Sequence, residues 1–320
     1  MQTITHKLQG KSGFIEYYRS LFTESEQEIF FKDLQRSSLP ILRFKADDEE
    51  HLKKLWQKSH LDWETLSWYK YAVKWPKQIP FTDELPGFND HLFFPMNASS
   101  LLPVLALDPQ PKELILDACA APGGKALFIS QLLNKKDELY LNDTSKARRM
   151  RLLRIMDDYD CKNIKVLGRK AETLFKTYPN YFDKILADVP CSSEKHVFRN
   201  EAHLVQWSTS RIKSLHRRQV AIISGLFLAL KPGGKLVYST CAVTPEENEA
   251  VVDILLKKKG KKIKLINFNI NAPGSIGWPG EYKQDFDLSK IKRVTPHRLD
   301  KEHKEIMDPM FVAVFERTML

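Results

Sequence analysis

The chain has 320 residues, and its 50 Lys and Arg exceed its 40 Asp and Glu to give a formal net charge of +10. This charge favours a polyanionic partner such as nucleic acid, although composition alone agrees equally well with an ordinary basic protein. The four cysteines form no CxxC pair, which excludes a zinc ribbon and a thioredoxin-like couple, and no metal site is expected.

The ends and apolar runs of the chain give expectations about its compartment. Residues 1–7 are polar and predict no secretory signal, so we expect a reducing compartment and no disulfide framework. The most apolar run, residues 221–230, is too short to span a bilayer and predicts a buried helix end. We therefore expect a cytoplasmic monomer without a membrane partner.

Residues 1–78 predict a small α/β domain that contacts RNA. The pattern indicates two short helices over residues 14–36, a strand over 41–45, a helix over 47–59, and one or two strands over 63–75. Aromatic residues alternate here with lysines, which suits base stacking and phosphate binding, but core packing is the stronger interpretation of each ring: Trp56, Trp63, Trp68, Tyr69, Tyr71 and Trp75. Residues 79–100 predict a proline-rich linker.

Residues 101–320 alternate short apolar runs with amphipathic helices, a pattern typical of a parallel sheet with helices on both faces. Strands are predicted over residues 114–116, 139–141, 164–167, 182–188, 235–239 and 310–316. Helices are predicted over residues 124–133, 145–159, 210–230 and 246–257. Residues 192–208 have little periodicity and predict a loop that contacts the substrate.

A glycine-rich turn follows the first strand of this sheet and opens a helix. Its residues after Asp117 and Ala118 are Cys119, Ala120, Ala121, Pro122, Gly123, Gly124 and Lys125. Glycine lets a ligand approach the backbone, and a helix N-terminus presents free N–H groups to an anion. The turn matches neither GxGxxG nor GxxxxGK[ST], which argues against a dinucleotide and ATP. Asp143 ends the second strand, where it is placed to bind ribose hydroxyls, while a purely structural turn stays open as an alternative.

Two cysteines follow the ends of two predicted strands. Cys191 lies three residues after Asp188, and Cys241 follows Ser239 and Thr240. Because the carboxyl ends of parallel strands form the ligand-binding edge of a sheet, both thiols and the Asp188 carboxylate should meet in one crevice. A thiolate can add to an electron-poor ring carbon there, but the chemistry alone leaves open which cysteine attacks.

Four motifs together resemble the ordered signature of the Sun/Fmu (RsmB-like) family of S-adenosylmethionine-dependent RNA cytosine-5 methyltransferases. They are DACAAPGGK at residues 117–125, DVPCS at 188–192, STC at 239–241 and TPEENE at 244–249, and the resemblance covers about residues 93–317. Residues 98–107 are similar to the short mitochondrial rRNA-modifying branch. The resemblance implies a class I methyltransferase fold, Rossmann-like with a mostly parallel seven-stranded sheet, in which residues 101–320 are the catalytic domain.

The resemblance also implies roles for particular residues. S-adenosylmethionine lies over the turn from Cys119 to Lys125, with Asp143 on its ribose and Asp188 beside it. Cys241 is the nucleophile, and Cys191 takes part in product release. The chemistry of the adduct itself requires an acid near ring nitrogen 3, and Asp188 is the candidate. DNA cytosine methyltransferases use the Pro-Cys cysteine instead.

Two positions depart from the family pattern. Leu167 precedes Gly168 and Arg169 where the family has an Asp that contacts adenine, and Glu172 is the candidate substitute. Near the C-terminus, residues 308–311 read Asp-Pro-Met-Phe where the family commonly reads Asp-Gly-Phe-Phe, so the loop over the site is expected to differ in shape.

The expected substrate is RNA, with rRNA favoured, tRNA next, and a partner protein as a possible source of specificity. Basic residues on two helices are candidate phosphate contacts, with a solvated helix face as an equal alternative: Lys146, Arg148, Arg149, Arg151, Arg154, Arg211, Lys213, Arg217 and Arg218. The alternative function is an RNA-binding ribosome-assembly factor that keeps the methyltransferase fold with weak or no catalysis.

Overall fold

A computed structural model of the chain describes residues 7–81, 83–277 and 285–319. Residues 1–6, on which the expectation of no secretory signal mainly rests, lie outside this part. Within the described ranges, no helix combines the length and the apolar character needed to cross a membrane.

The larger sheet contains the parallel strands predicted from the sequence. They are β5 (Ile115–Asp117), β6 (Leu139–Asn142), β7 (Ile164–Leu167), β8 (Phe182–Asp188) and β9 (Leu230–Thr240), in the spatial order β7-β6-β5-β8-β9. The chain reverses direction across the sheet between β5 and β8, so a crevice opens at the carboxyl ends of these two strands.

Antiparallel strands extend the sheet beyond β9. The strand β13 (Met310–Arg317) pairs with β9, and it also pairs with β10 (Ile263–Leu265) and β12 (Ile291–Val294), which in turn pairs with β11 (Ser275–Ile276). The predicted class I fold is therefore confirmed, but the described sheet has nine strands where seven were expected. The additional strands are short and lie in polar sequence without clear alternation, so periodicity did not reveal them.

Helices cover both faces of this sheet. One face carries α4 (Leu101–Leu107), α5 (Gly124–Leu132) and α6 (Lys146–Asp158), and the other carries α9 (Thr209–Ala229) and α10 (Glu249–Lys259). Ser145 begins α6 by accepting a hydrogen bond from the Arg148 N–H, and Ser208 does the same for α9 with Arg211. These helices bury apolar clusters on each side and leave the carboxyl edge of the strands open.

A second, antiparallel sheet has the order β2-β3-β1-β4, with β1 (Ile41–Phe44), β2 (Thr65–Leu66), β3 (Tyr69–Lys74) and β4 (Phe93–Met96). The helix α3 (Glu49–Lys58) packs on it through buried Leu52 and Trp56. The predicted aromatic residues of this region are buried or half-buried and pack in the apolar clusters. The strand β4 lies inside the predicted linker over residues 79–100; the domain boundaries at 78 and 100 stay a prediction.

The first two helices of the chain pack beside the larger sheet, near the start of α9. They are α1 (Gly10–Arg19) and α2 (Glu24–Gln35), and a capping box between Thr23 and Glu26 begins the second. Phe14 and Tyr18 lie in one apolar cluster with Trp207 at the start of α9. Residues 10–35 therefore share a core with residues near 200.

Candidate active site

The carboxyl ends of β8 and β9 bring Asp188 and Ser239 side by side. These residues are register partners in the sheet, and the Ser239 hydroxyl donates a hydrogen bond of 2.8 Å to Asp188 Oδ1. On the other side of the carboxylate, Lys125 Nζ lies 2.8 Å from Asp188 Oδ2. Burial alone lowers the pKa of Lys125, but the charge and hydrogen bond of Asp188 outweigh burial and raise it. The Lys125 ammonium at the end of the glycine turn is therefore directed to Asp188.

The two cysteines that follow these strands are in contact. Cys191 Sγ and Cys241 Sγ lie 2.9 Å apart, and both side chains are free thiols. The hydrogen bond with Cys241 raises the pKa of Cys191 well above its usual value, and burial raises it further. Cys119 is also held as a thiol, because burial and the nearby Asp117 carboxylate raise its pKa.

A cavity of about 590 Å³ lies in front of this cluster, a volume within the usual range of small-molecule sites. Lys125, Asp188 and Cys241 contribute to its wall, whereas Cys191 is absent from the residues that line it. Cys241 is therefore the cysteine that faces the cavity, and Cys191 lies behind it.

Another part of the cavity wall joins distant parts of the chain around Asp308. The hydroxyl of Ser38 donates a hydrogen bond of 2.7 Å to Asp308 Oδ1, and Lys195 forms an ion pair with the same oxygen. The Asp308 N–H donates to Asn97 Oδ1 at 3.0 Å. Sequence reasoning missed Ser38 and Asn97, since no motif or spacing connects single polar residues that are so far apart along the chain.

The segment 192–208 is helical where a loop was expected. It contains α7 (Glu194–Phe198) and α8 (Glu201–Val205), each five residues long, which is too short for a period to be recognised. Lys195, His196 and Arg199 of this segment contribute to the wall of the 590 Å³ cavity. Its expected contact with the substrate stays a prediction.

The glycine turn begins α5, with Gly123 as the residue before the helix. Its φ of +131° is a conformation that residues with a side chain rarely adopt, and an added Cβ would lie 3.2 Å from Leu152 Cδ1. The side-chain amide of Asn142 donates to the Ala118 carbonyl at 3.0 Å, which ties the turn to β6. The backbone of residues 119–124 is thus fixed at the crevice between β5 and β8.

A second cavity, of about 220 Å³, opens beside this turn. Cys119, Asp143, Glu172 and Pro190 are among the residues that line it, whereas Ala120, Ala121, Pro122, Gly123 and Gly124 are not. Two carboxylates in one cavity suit a ligand with several hydrogen-bond donors, such as the ribose hydroxyls and adenine amine of S-adenosylmethionine. The residues present therefore fit this group, and Glu172, the candidate substitute for the acid missing at Leu167, lines the same cavity.

Arg148 closes one side of this cavity. Its guanidinium lies 2.9 Å from Asp143 Oδ2 and also donates to the carbonyl of Ala121. The neighbouring Arg149 donates to the Asp143 carbonyl at 2.7 Å. These two arginines of α6 therefore contact the protein itself, and Lys146, Arg151 and Arg154 are the exposed basic residues that are left for phosphate contacts on this helix.

Comparisons with known proteins agree with this fold and these motifs. A family model described as 16S rRNA methyltransferase RsmB/F matches residues 104–316. The chain is 32% identical over 290 residues to the tRNA (cytosine(49)-C(5))-methyltransferase of Pyrococcus abyssi, which covers 90% of this chain and 92% of that protein. It is 36% identical over 215 residues to ribosomal RNA small subunit methyltransferase F of Aeromonas salmonicida, covering 66% of this chain but only 44% of that protein.

Solved structures have the same fold. The structure of NSun6 from Pyrococcus horikoshii with SFG superimposes with a TM-score of 0.79 at 22% identity, covering 96% of this chain and 98% of that one. The family model matches more than half of the chain, and the Pyrococcus abyssi relative matches most of it. The resemblance noted in the motifs is confirmed, and the chain belongs to the RsmB/F family of S-adenosylmethionine-dependent methyltransferases.

Proposed function

We propose that the protein methylates carbon 5 of a cytosine in RNA through a covalent bond between Cys241 and ring carbon 6. The observation that carries this proposal is the cavity of about 590 Å³, whose wall combines the Cys241 thiol with Asp188 and Lys125. Its volume is sufficient for one nucleobase that has left its stack. A nucleophile, a carboxylate and a cation are thus within reach of the same ring.

The chemistry follows from the low nucleophilicity of carbon 5. The Cys241 thiolate forms a bond to carbon 6, the ring double-bond electrons shift toward nitrogen 3, and that nitrogen takes the proton that Lys125 and Asp188 share. Carbon 5 of this adduct is electron-rich, and S-adenosylmethionine supplies the methyl group that it takes up. Loss of the carbon 5 proton to solvent water leaves an electron pair that forms the carbon 5–carbon 6 double bond, and the sulfur–carbon bond breaks. The thiolate leaves with its electron pair, and the nitrogen 3 proton returns to the Asp188 and Lys125 pair.

Two features support Cys241 rather than Cys191 as the nucleophile. Cys241 faces the cavity, and its charge is one of those that raise the pKa of Lys125, so this cation lies close enough to interact with the Cys241 sulfur. Cys191 lies behind it, and its raised pKa keeps it as a thiol. We assign Cys191 to product release. Its thiol is in contact with the Cys241 sulfur, and it can take the place of the cytosine ring beside that sulfur when the ring leaves.

The cavity of about 220 Å³ is the proposed site of S-adenosylmethionine. Asp143 would accept hydrogen bonds from the ribose hydroxyls, and Glu172 would accept from the adenine amine. The turn from Cys119 to Lys125 would hold the rest of the donor through its backbone N–H groups at the start of α5.

The substrate is proposed to be RNA on the basis of charge and relatives. The net charge of +10 and the exposed basic residues of α6 and α9 suit phosphate contacts. The relatives are named as tRNA and rRNA methyltransferases. We favour rRNA because the family model carries that description, and tRNA is the second candidate. Bisulfite sequencing of total RNA with and without the gene identifies the cytosine.

The decisive experiment incubates the purified protein with RNA and labelled S-adenosylmethionine and resolves covalent protein–RNA adducts on a denaturing gel. Cys241→Ala should lose both methylation and adduct, whereas Cys191→Ala should keep the adduct and turn over slowly. Cys161→Ala is the matched control and should behave as the parent, because this thiol lies outside both cavities. An adduct that persists in Cys241→Ala would reverse the assignment. Calorimetric titration without measurable S-adenosylmethionine binding would favour the assembly-factor alternative.

A further inference from the structure

We infer that Glu194 and Glu247 are positioning residues that join the loops of the two cysteines and hold Cys191 as a protonated thiol. The assignment of roles to the two cysteines rests on the proposed function. The arrangement of the two carboxylates stands on contacts that are independent of it.

Glu247 connects the Cys191 loop to the start of α10. Its Oε2 accepts hydrogen bonds from the Ser192 N–H at 3.0 Å and from the Gln219 side-chain amide at 2.7 Å. The same Gln219 amide donates to the carbonyl of Pro190 at 3.0 Å. Residues on both sides of Cys191 are therefore fixed through one carboxylate.

Glu194 connects the Cys191 loop to the Cys241 loop. Its Oε1 accepts from the Ser192 hydroxyl at 2.7 Å and from the Tyr18 hydroxyl at 2.8 Å. Its Oε2 accepts from the N–H of Val243, two residues after Cys241, at 3.0 Å. Ser192 thus donates to both carboxylates, one through its backbone and one through its side chain.

Both carboxyl groups are buried without a cation. Each residue has 0% of its surface exposed, and no ion pair involving either is present in the described parts of the chain. Burial raises the pKa of Glu247 to about 7, together with the charge of Glu194, and burial raises that of Glu194 as well. The charge of Glu194 thus opposes the ionisation of Glu247.

Three of the titratable groups that face the pair are tyrosines, and they stay neutral. They are the two buried tyrosines of α1 and one of β9, and burial raises the pKa of each: Tyr17, Tyr18 and Tyr238. After Cys241 and burial, it is the charges of Glu247 and Glu194 that raise the pKa of Cys191. Lys125 lies on the Cys241 side, so the two sulfurs have opposite electrostatic surroundings.

A direct test measures the ionisation of the thiols in the full chain by NMR of [3-13C]cysteine, with signals assigned by single Cys→Ser variants. Glu247→Gln and Glu194→Gln keep the size of the side chain and remove its charge. Each should lower the titration midpoint of Cys191 by about one pH unit, the size expected when a neighbouring like charge is removed. Glu246→Gln is the matched control and should leave Cys191 unchanged, because its carboxylate accepts from Tyr17 instead.

The result that overturns the inference is a Cys191 midpoint that neither variant moves. This measurement needs no RNA and no turnover, so its failure is distinct from failure of the proposed methylation. Two variants at different positions also guard against one that does not fold.

A second readout separates positioning from general support of the structure. In the adduct assay, Glu247→Gln should form the Cys241 adduct at the rate of the parent and release product about tenfold more slowly, because a neutral amide holds the Ser192 N–H and the Cys191 loop less strongly than the carboxylate does. Ser192→Ala removes the hydroxyl that donates to Glu194 and keeps the N–H that donates to Glu247. This variant should also form the adduct at the rate of the parent and release product more slowly, with a smaller change than in Glu247→Gln. Equal losses of adduct formation and release would assign the pair a purely structural role.

Discussion

Removing one partner of the buried ion pair between Glu249 and Arg293 should be among the most destabilising single changes in the protein. Glu249 is 0% exposed and Arg293 1%, and the guanidinium contacts both carboxylate oxygens, with Nε 3.1 Å from Oε1. The same guanidinium donates to the carbonyl of Val243 at 2.7 Å. Glu249→Ala leaves this cation buried without its carboxylate, which should cost about 4 kcal/mol.

This loss is measurable by calorimetry and urea denaturation. For 320 residues the entropy of unfolding is about 0.7 kcal/mol per kelvin, so Tm should fall by about 6 °C. The matched control is Lys264→Met, which removes a surface pair with Glu316 and should cost less than about 1 kcal/mol. The double change Glu249→Leu and Arg293→Met should recover most of the stability, because neither charge of this pair is then left buried.

A loss below about 1 kcal/mol in Glu249→Ala would refute the reasoning. It would mean that water or another carboxylate reaches the guanidinium. Because Arg293 also holds the carbonyl two residues after Cys241, adduct formation should fall in the same variant at temperatures where it stays folded.

Three further changes test other parts of the structure. Burial lowers the pKa of His297 to about 4, so as the pH falls this imidazole takes up a proton in the unfolded chain before it does so in the folded chain. The free energy of unfolding should therefore fall by about 2 kcal/mol as the pH drops from 6.5 toward 4.5. His297→Phe should flatten this dependence in urea titrations. Gly225→Ala places a Cβ 2.2 Å from the Glu172 carbonyl oxygen and should cost about 3 kcal/mol in thermal unfolding and weaken S-adenosylmethionine binding by calorimetry. Gly123→Ala forces an unfavourable φ of +131° and should lower stability by about 2 kcal/mol.

The larger sheet and its helices could be predicted because the apolar residues in their sequences recur with a clear periodicity. The predicted helix over residues 210–230 is found at Thr209–Ala229, and the strand over 182–188 is found at Phe182–Asp188. The placement of Asp188, Cys191 and Cys241 at one edge follows from the same rule, since parallel strands bring their carboxyl ends together. The contact of 2.9 Å between the sulfurs depends on loop geometry, which no period encodes.

The strand β4 could not be predicted, because prolines surround it and one lies within it. Pro95 is the register partner of Leu42, but β4 is at the edge of the small sheet. An edge strand has one side without ladder hydrogen bonds, so a proline is tolerated there. Composition alone therefore favoured a linker in a segment that is partly sheet.

The buried glutamates were also hidden in the sequence. In the motif at residues 244–249, acidic residues next to Pro245 are typical of a helix start, and this favours exposed positions that interact with the helix dipole. In the structure Glu247 is instead buried against the Cys191 loop. Its partners Ser192 and Gln219 come from two other segments, so only the tertiary structure identifies the contact.

The packing of Phe14 and Tyr18 against Trp207 has a consequence for how the chain folds during synthesis. The first two helices emerge from the ribosome early, but their apolar partners are translated nearly two hundred residues later. Until then these aromatic side chains can pack only against other residues of the first two helices, and contacts so distant along the chain form slowly. Nascent chains stalled before residue 200 should therefore bind chaperones through α1 and α2 and release them once α9 has emerged.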